Sequence, residues 1–234
     1  MRIYQRRSHV AVTIAFVVAP FIFLLAFSRL AHIATAQLFT DASTSIVRLV
    51  IAYAIAVALA WASAVLFYRG RRAAVALPIF DVLQSFPTFA ALPLATLAWG
   101  RSDNTVIIFL VITIIWPLFF SIVSSLKLVH KDLEEAAEMS GLTGFDYLYL
   151  FLWPVSIPGL ITGSVIGLGE AWEALVATEI ITGVPNGLGS FFQTFSGSVS
   201  ITAFGILGLL ILIFSLNKLV WLPLLENSHQ RMEE

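Results

Sequence analysis

The sequence predicts an all-α, polytopic membrane protein of about six transmembrane helices, and three observations predict it. First, 59% of the 234 residues are apolar and 12% are charged, where a soluble domain averages about a quarter charged. Second, the charges are segregated: no Lys, Arg, Asp or Glu falls within 10–27, 49–68, 82–100 or 105–126. Each stretch has about the 18 to 20 residues that carry a helix across a roughly 30 Å hydrocarbon core. Third, two further apolar segments, 151–168 and 201–216, bring the count to about six. Helices follow because backbone groups surrounded by lipid must bond within their own segment.

Taken in order, the first segment follows MRIYQRR and precedes Ala34-Thr35-Ala36, a start that imitates a signal peptide with its cleavage site. Its apolar run outlasts the usual core of about 7 to 15 residues, so the reading is an uncleaved first helix. The second segment, 49–68, is uninterrupted. The third is not a simple span: Pro78, Pro87 and Pro93 each remove a backbone donor and restrict the preceding residue. The expectation is a short helix over 73–85, a break at Phe86-Pro87 and a bent helix reaching Trp99. Such a break either lines a protein-walled cavity or is a proline kink with no special role. The fourth segment, 105–126, is again continuous. The fifth carries Gly159, Gly163 and Gly167 at intervals of four, a bare face for close helix packing, read as an intrachain contact.

Placing the spans in order puts Arg2, Arg6, Arg7, Arg69, Arg71, Arg72, Lys127, Lys131, Lys218 and Arg231 on one side of the membrane. Only Arg29, Arg48 and Arg101 fall on the other. Basic residues are retained on the cytoplasmic side, so both termini are expected there, together with the loop between the fourth and fifth spans.

That loop holds the most informative stretch, EEAAEMSGLTGFDYLYLFLWP over 134–154, a polar, helix-forming island. Asp132, Glu134 and Glu135 complement the positive end of a short helix, Ala136 and Ala137 keep its contact face slim, and Gly141 suits a left-handed end. On physical grounds this is either an element shaped to enter a groove on a cytoplasmic partner or an amphipathic interfacial helix. Glu135-Ala136-Ala137, then Gly141, then Phe151-x-Trp153-Pro154 resembles the EAA loop of the permease subunits of ATP-binding-cassette importers. Phe151 and Trp153 are bulkier than the Ile-x-Leu-Pro ending common in that family. The similarity runs over about 43–225 and is nearest to the nitrate, sulfonate and taurine permease group. It also includes Asp81 to Pro87, Pro93-Leu94, Trp99-Gly100, Ala171-Trp172, Ala177-Thr178-Glu179 and Gly187-Leu188-Gly189.

The resemblance implies a type I importer-like permease fold, one transmembrane domain over 1–234 with a coupling loop at about 128–150. It implies that Glu135, Ala136, Ala137 and Gly141 couple the chain to a separate ATP-binding subunit, and that ATP is used by that partner with no cofactor bound directly. A second permease copy, in a homodimer, and an extracytoplasmic solute-binding protein complete the implied assembly in a bacterial inner membrane. No phosphate loop of the G-x-x-x-x-G-K-[ST] form occurs, which agrees with a transport subunit that is no enzyme.

Glu170, Trp172, Glu173 and Glu179 are the candidate translocation-pathway residues. A carboxylate at the bilayer centre costs about 2.5–3.5 kcal/mol on insertion scales, so it faces a bundle interior, a partner or water. Placement near the outer interface, where charge is cheap, is the competing reading, favoured for Glu179. Members of the family more often have uncharged residues beside the Ala-Trp pair, so Glu170 and Glu173 point to a solute that is neutral or partly cationic. Asp81 is read as bonding a freed backbone group. The four histidines are scattered, so no metal site is expected, and the absence of cysteine removes thiolate ligands. No basic cluster suggests nucleic acid. A passive channel or structural membrane protein, or an intramembrane enzyme using Glu170 and Glu173, are the alternative functions; the latter lacks any convergent partner motif.

Overall fold

The computed structural model describes residues 2–221, with side chains over 17–219. Arg231, His229 and the end of the 43–225 similarity lie outside the described residues, as do the side chains of Arg2, Arg6, Arg7 and His9. The described chain is helical: α1 (Arg2–Ala31), α2 (Thr35–Phe67), α3 (Gly70–Gln84), α4 (Thr88–Trp99), α5 (Asp103–Lys127), α6 (Lys131–Met139), α7 (Gly144–Asp146), α8 (Trp153–Thr182), α9 (Leu188–Thr194) and α10 (Val199–Leu216). A π-helical run, Tyr147–Leu152, joins α7 to α8.

Helices α2, α5, the α7–α8 unit and α10 are long and apolar enough to cross a membrane. The bent pair α3 and α4 makes a fifth crossing if counted as one span. The remaining expected span falls on α1, whose apolar portion with described side chains, Val17–Ala31, is shorter than a crossing needs. The count of six is therefore not reached among the described residues.

Helix α5 is the centre of the bundle, packed along α8 on one side and α2 on another. Its Leu110, Ile114, Leu118 and Ile122 are fully buried. Burying these side chains in lipid gains little transfer free energy, since acyl chains are equally apolar, so close packing and interhelical hydrogen bonds hold the helices together. On α2, Ala52, Ala56, Ala60 and Ala64 form a stripe of small, fully buried residues. On α8, Gly159, Gly163 and Gly167 face α5. A Cβ added at Gly163 would lie 2.7 Å from the Cα of Leu118 and 2.8 Å from the carbonyl oxygen of Pro117. Polar clasps reinforce the contact: the Trp61 indole donates to Ser156 Oγ at 3.0 Å, Tyr53 Oη pairs with Ser164 Oγ at 2.7 Å, and Ser125 Oγ donates to the Val155 carbonyl at 2.8 Å. Helices α1 and α10 pack on each other at the periphery, where Phe27 meets Phe191 of α9 edge-on at 5.9 Å.

Two helices extend well beyond their apolar runs. α2 begins at Thr35 because Asp41, Ser45 and Arg48 bury a polar face against other elements. α8 continues to Thr182 because Ala171, Trp172, Ala174 and Leu175 supply a core face past the last uninterrupted apolar residue. Its end is set by Gly183 in the left-handed region, φ +63°. The α3–α4 break lies at Ser85–Pro87 with a bend of 83°.

Candidate functional site

Three places in the bundle hold the polar groups that the sequence singles out. At one end, α6 forms a short helix with Asp132 and Glu134 in its first turn. It closes in a Schellman arrangement, with the Leu142 amide donating to the Ala137 carbonyl at 3.2 Å and the Gly141 amide to the Glu138 carbonyl at 3.0 Å. Gly141 has φ +75°, a backbone that a side chain would strain. Ala137 is buried against the bundle, whereas Glu135, Ala136 and Gly141 are exposed. Leu133, Met139 and Phe145 are also exposed, Met139 to 89%, and Phe145 stacks in parallel with Tyr149 at 6.3 Å. A polar helix tip thus carries a rim of apolar side chains.

This tip is tied to the bundle by Arg69, which pairs with Glu134 at 2.8 Å and lies 5.0 Å over the Tyr68 ring. The Tyr147 hydroxyl faces the same group. Burial is the main reason that the Tyr68 hydroxyl is pushed up to about 12, with Tyr147 and Glu134 adding to the shift and Arg69 opposing it. Tyr68 is therefore a neutral phenol below pH 10, its ordinary value.

At the opposite end, Arg48 and Glu179 form a buried ion pair at 2.5 Å. Arg48 also donates to Asp103 Oδ1 at 2.6 Å and to the carbonyls of Pro185 and Asn186. Glu179 accepts from Ser45 Oγ and from the Gly189 amide, and Asp41 accepts from the Gly187 amide. The network joins α2, α5, α8 and the loop before α9. Glu179 is wholly buried within one turn of the end of α8, where its carboxylate is enclosed by the network. Trp172 is likewise a core residue at 5% exposure, because its side of α8 faces the α2–α5 core. Sequence reasoning missed Asp41, Ser45 and Arg48. Their signal is that they extend the alanine stripe of α2 on the same helical face, at intervals of four, three and four.

Between the two ends, a cavity of about 790 Å³ opens at the α3–α4 break. It is walled by the break, by Thr113, Trp116 and Phe120 of α5, and by Ile166 and Glu170 of α8. Glu170 and Glu173 stand on one exposed face of α8, and of the two only Glu170 lines the cavity. Glu170 lies about 26 Å along the helix from Trp153 and about 18 Å from Thr182, by the rise of about 1.5 Å per residue. Asp81 is exposed and accepts from the Gln84 side chain at 2.7 Å, not from a freed backbone group, because the α3 end is closed by its own carbonyls. Among the described residues, no three His, Asp or Glu side chains converge on a common point.

The profile of the family described as binding-protein-dependent transport system inner membrane component matches residues 54–222. The chain is 34% identical over 106 residues to the nitrate import permease protein NrtB of Leptolyngbya laminosa, covering 45% of this chain and 38% of the relative. It is 31% identical over 117 residues to the taurine transport system permease protein TauC of Escherichia coli K12, covering 50% and 42%. Against the bicarbonate transport system permease protein CmpB of Synechococcus elongatus it is 26% identical over 114 residues, covering 49% and 41%. The matches thus span about two-fifths of the length of these relatives.

Proposed function

The chain belongs to the family of binding-protein-dependent transport system inner membrane components, and from that premise we propose that it is the membrane-spanning permease subunit of an ATP-driven importer. In this reading the end bearing α6 faces the cytoplasm, in keeping with Arg69, Arg71, Arg72, Lys127 and Lys131 clustered there. The observation that carries the proposal is the α6 tip. It is a capped helix with an exposed apolar rim, Leu133, Met139 and Phe145, of which Phe145 stacks on Tyr149. Such a rim suits insertion into a cleft of an ATP-binding subunit, with Glu135 and Ala136 at the contact and Ala137 and Gly141 fixing the shape.

Motion of that subunit would reach the spans by two routes. One is continuous helix through Tyr147–Leu152 into α8. The other is the Glu134–Arg69 pair at the end of α2. With a second copy of the chain completing the pathway and an extracytoplasmic binding protein delivering a small solute, rocking of the helices would expose the α3–α4 cavity to each side in turn.

The test is co-purification. The full chain, expressed with a cognate ATP-binding subunit and extracted in mild detergent, is expected to retain that subunit. Gly141→Val, which forces a branched side chain into φ +75°, is expected to lose it while keeping the helical circular-dichroism spectrum of the parent. Retention of the subunit by the variant at parental stoichiometry, or its absence from the parent complex, would count against the proposal.

A further inference from the structure

We propose that the cavity at the α3–α4 break takes an organic cation, a solute bearing an ammonium or comparable positive group, with Glu170 as its counter-charge; this rests on the permease reading above. No Lys, Arg or His lines the cavity, and Glu170 is the one carboxylate that does. α8 treats Glu170 and Glu179, two of its three glutamates, differently. Glu179 is neutralised by Arg48 and accepts from two further donors, the Ser45 hydroxyl and the Gly189 amide. Glu170, nine residues earlier, has no ion pair among the described residues.

A carboxylate within a span requires compensation, and a second identical copy has little to offer at that depth. No Lys or Arg occurs in 49–68, 82–100, 105–126, 153–182 or 199–216. The missing positive charge therefore arrives with the occupant. The walls favour an organic cation over a hard metal ion. Trp116, Phe86 and Phe120 offer aromatic faces that attract ammonium groups. Glu170 is the one carboxylate among the oxygen-bearing side chains of the lining, beside Gln84, Ser85, Thr88, Thr113 and Ser121, and no group of three His, Asp or Glu that could hold a metal ion occurs among the described residues, whereas a calcium-like ion is held chiefly by carboxylates and carbonyls. A volume of about 790 Å³ lies within the range of about 300–1,000 Å³ typical of small-molecule sites. An inorganic anion would instead meet an unscreened negative charge in a medium of low dielectric.

The experiment uses the full chain together with its ATP-binding subunit in nanodiscs of phosphatidylglycerol, a lipid without an amine. Calorimetric titration with choline chloride is expected to give saturable binding, and sodium nitrate and sodium bicarbonate are expected to give none. Glu170→Gln, which breaks no ion pair among the described residues, is expected to weaken choline binding by at least about tenfold. Glu170→Asp restores it and Trp116→Leu weakens it. The proposal is overturned if the parent complex does not bind choline, if Glu170→Gln binds it unchanged, or if nitrate or bicarbonate binds in its place. Repetition in discs containing phosphatidylethanolamine separates the sources of ammonium: loss of choline binding there assigns the site to a lipid headgroup and overturns the soluble solute. The two readings fail separately. Choline binding by a chain that never retains an ATP-binding subunit removes the importer, whereas retention of the subunit without choline binding removes only the cation site.

Discussion

Arg48 and Glu179 lie 131 positions apart in the chain and in direct contact in the fold. Both are desolvated, and each is satisfied by the other and by a backbone group, the Asn186 carbonyl in the loop before α9 for Arg48 and the Gly189 amide of α9 for Glu179. Removing one partner strands a buried charge, which typically costs about 3–5 kcal/mol. Arg48→Ala and Glu179→Ala are each expected to lower the melting midpoint of the detergent-solubilised protein sharply, and the double variant to cost less than the sum of the singles. A parent-like midpoint for either single variant in fluorescence-detected size exclusion would remove the network from the stability of the fold. Sequence reasoning groups Glu170 and Glu173 on one helical face and favours the outer interface for Glu179, but nothing local shows which carboxylate finds a buried partner. What separates them is non-local: a partner 131 residues away for Glu179 and a cavity wall for Glu170.

At the scale of elements, the sequence is most legible where the signal is periodic. The Pro-interrupted third segment becomes α3, a break at Ser85–Pro87 and α4: the chain breaks at Pro87, whereas Pro78 and Pro93 lie inside the two helices. The lengths of α2 and α8 are less legible. Charged residues end an apolar run but not a helix, and the polar faces that extend these helices are compensated only in the folded bundle. The glycine face of α8 gives a test with an internal control. Gly163→Ala places a Cβ against backbone atoms of α5 and, as an overpacked contact, is expected to cost about 1–3 kcal/mol. Gly169→Ala meets nothing within 4 Å and is expected to leave the chain's own packing unchanged. Equal melting midpoints for the two variants would mean that α5 and α8 do not approach as closely as described.

For the whole molecule, the charge asymmetry and the fold divide the chain in the same way: α6 and Arg69 stand at one end of the bundle, and the Arg48 network at the other. Which end faces the cytoplasm can be measured directly, because the chain contains no cysteine. Ser140→Cys is expected to react with a membrane-impermeant maleimide only in inverted vesicles, and Ser198→Cys only in intact cells; the reverse pattern would invert the proposed topology. The π-helical run Tyr147–Leu152 is not legible in the sequence, since YLYLFL carries no mark of it. A π turn holds about one residue more than an α turn, and each added residue advances helix phase by about 100°. The run therefore works as a fixed gear setting between α7 and α8. It sets Phe145, next to its start in α7, to one compass bearing while leaving the Gly159 face and Glu170 of α8 on theirs.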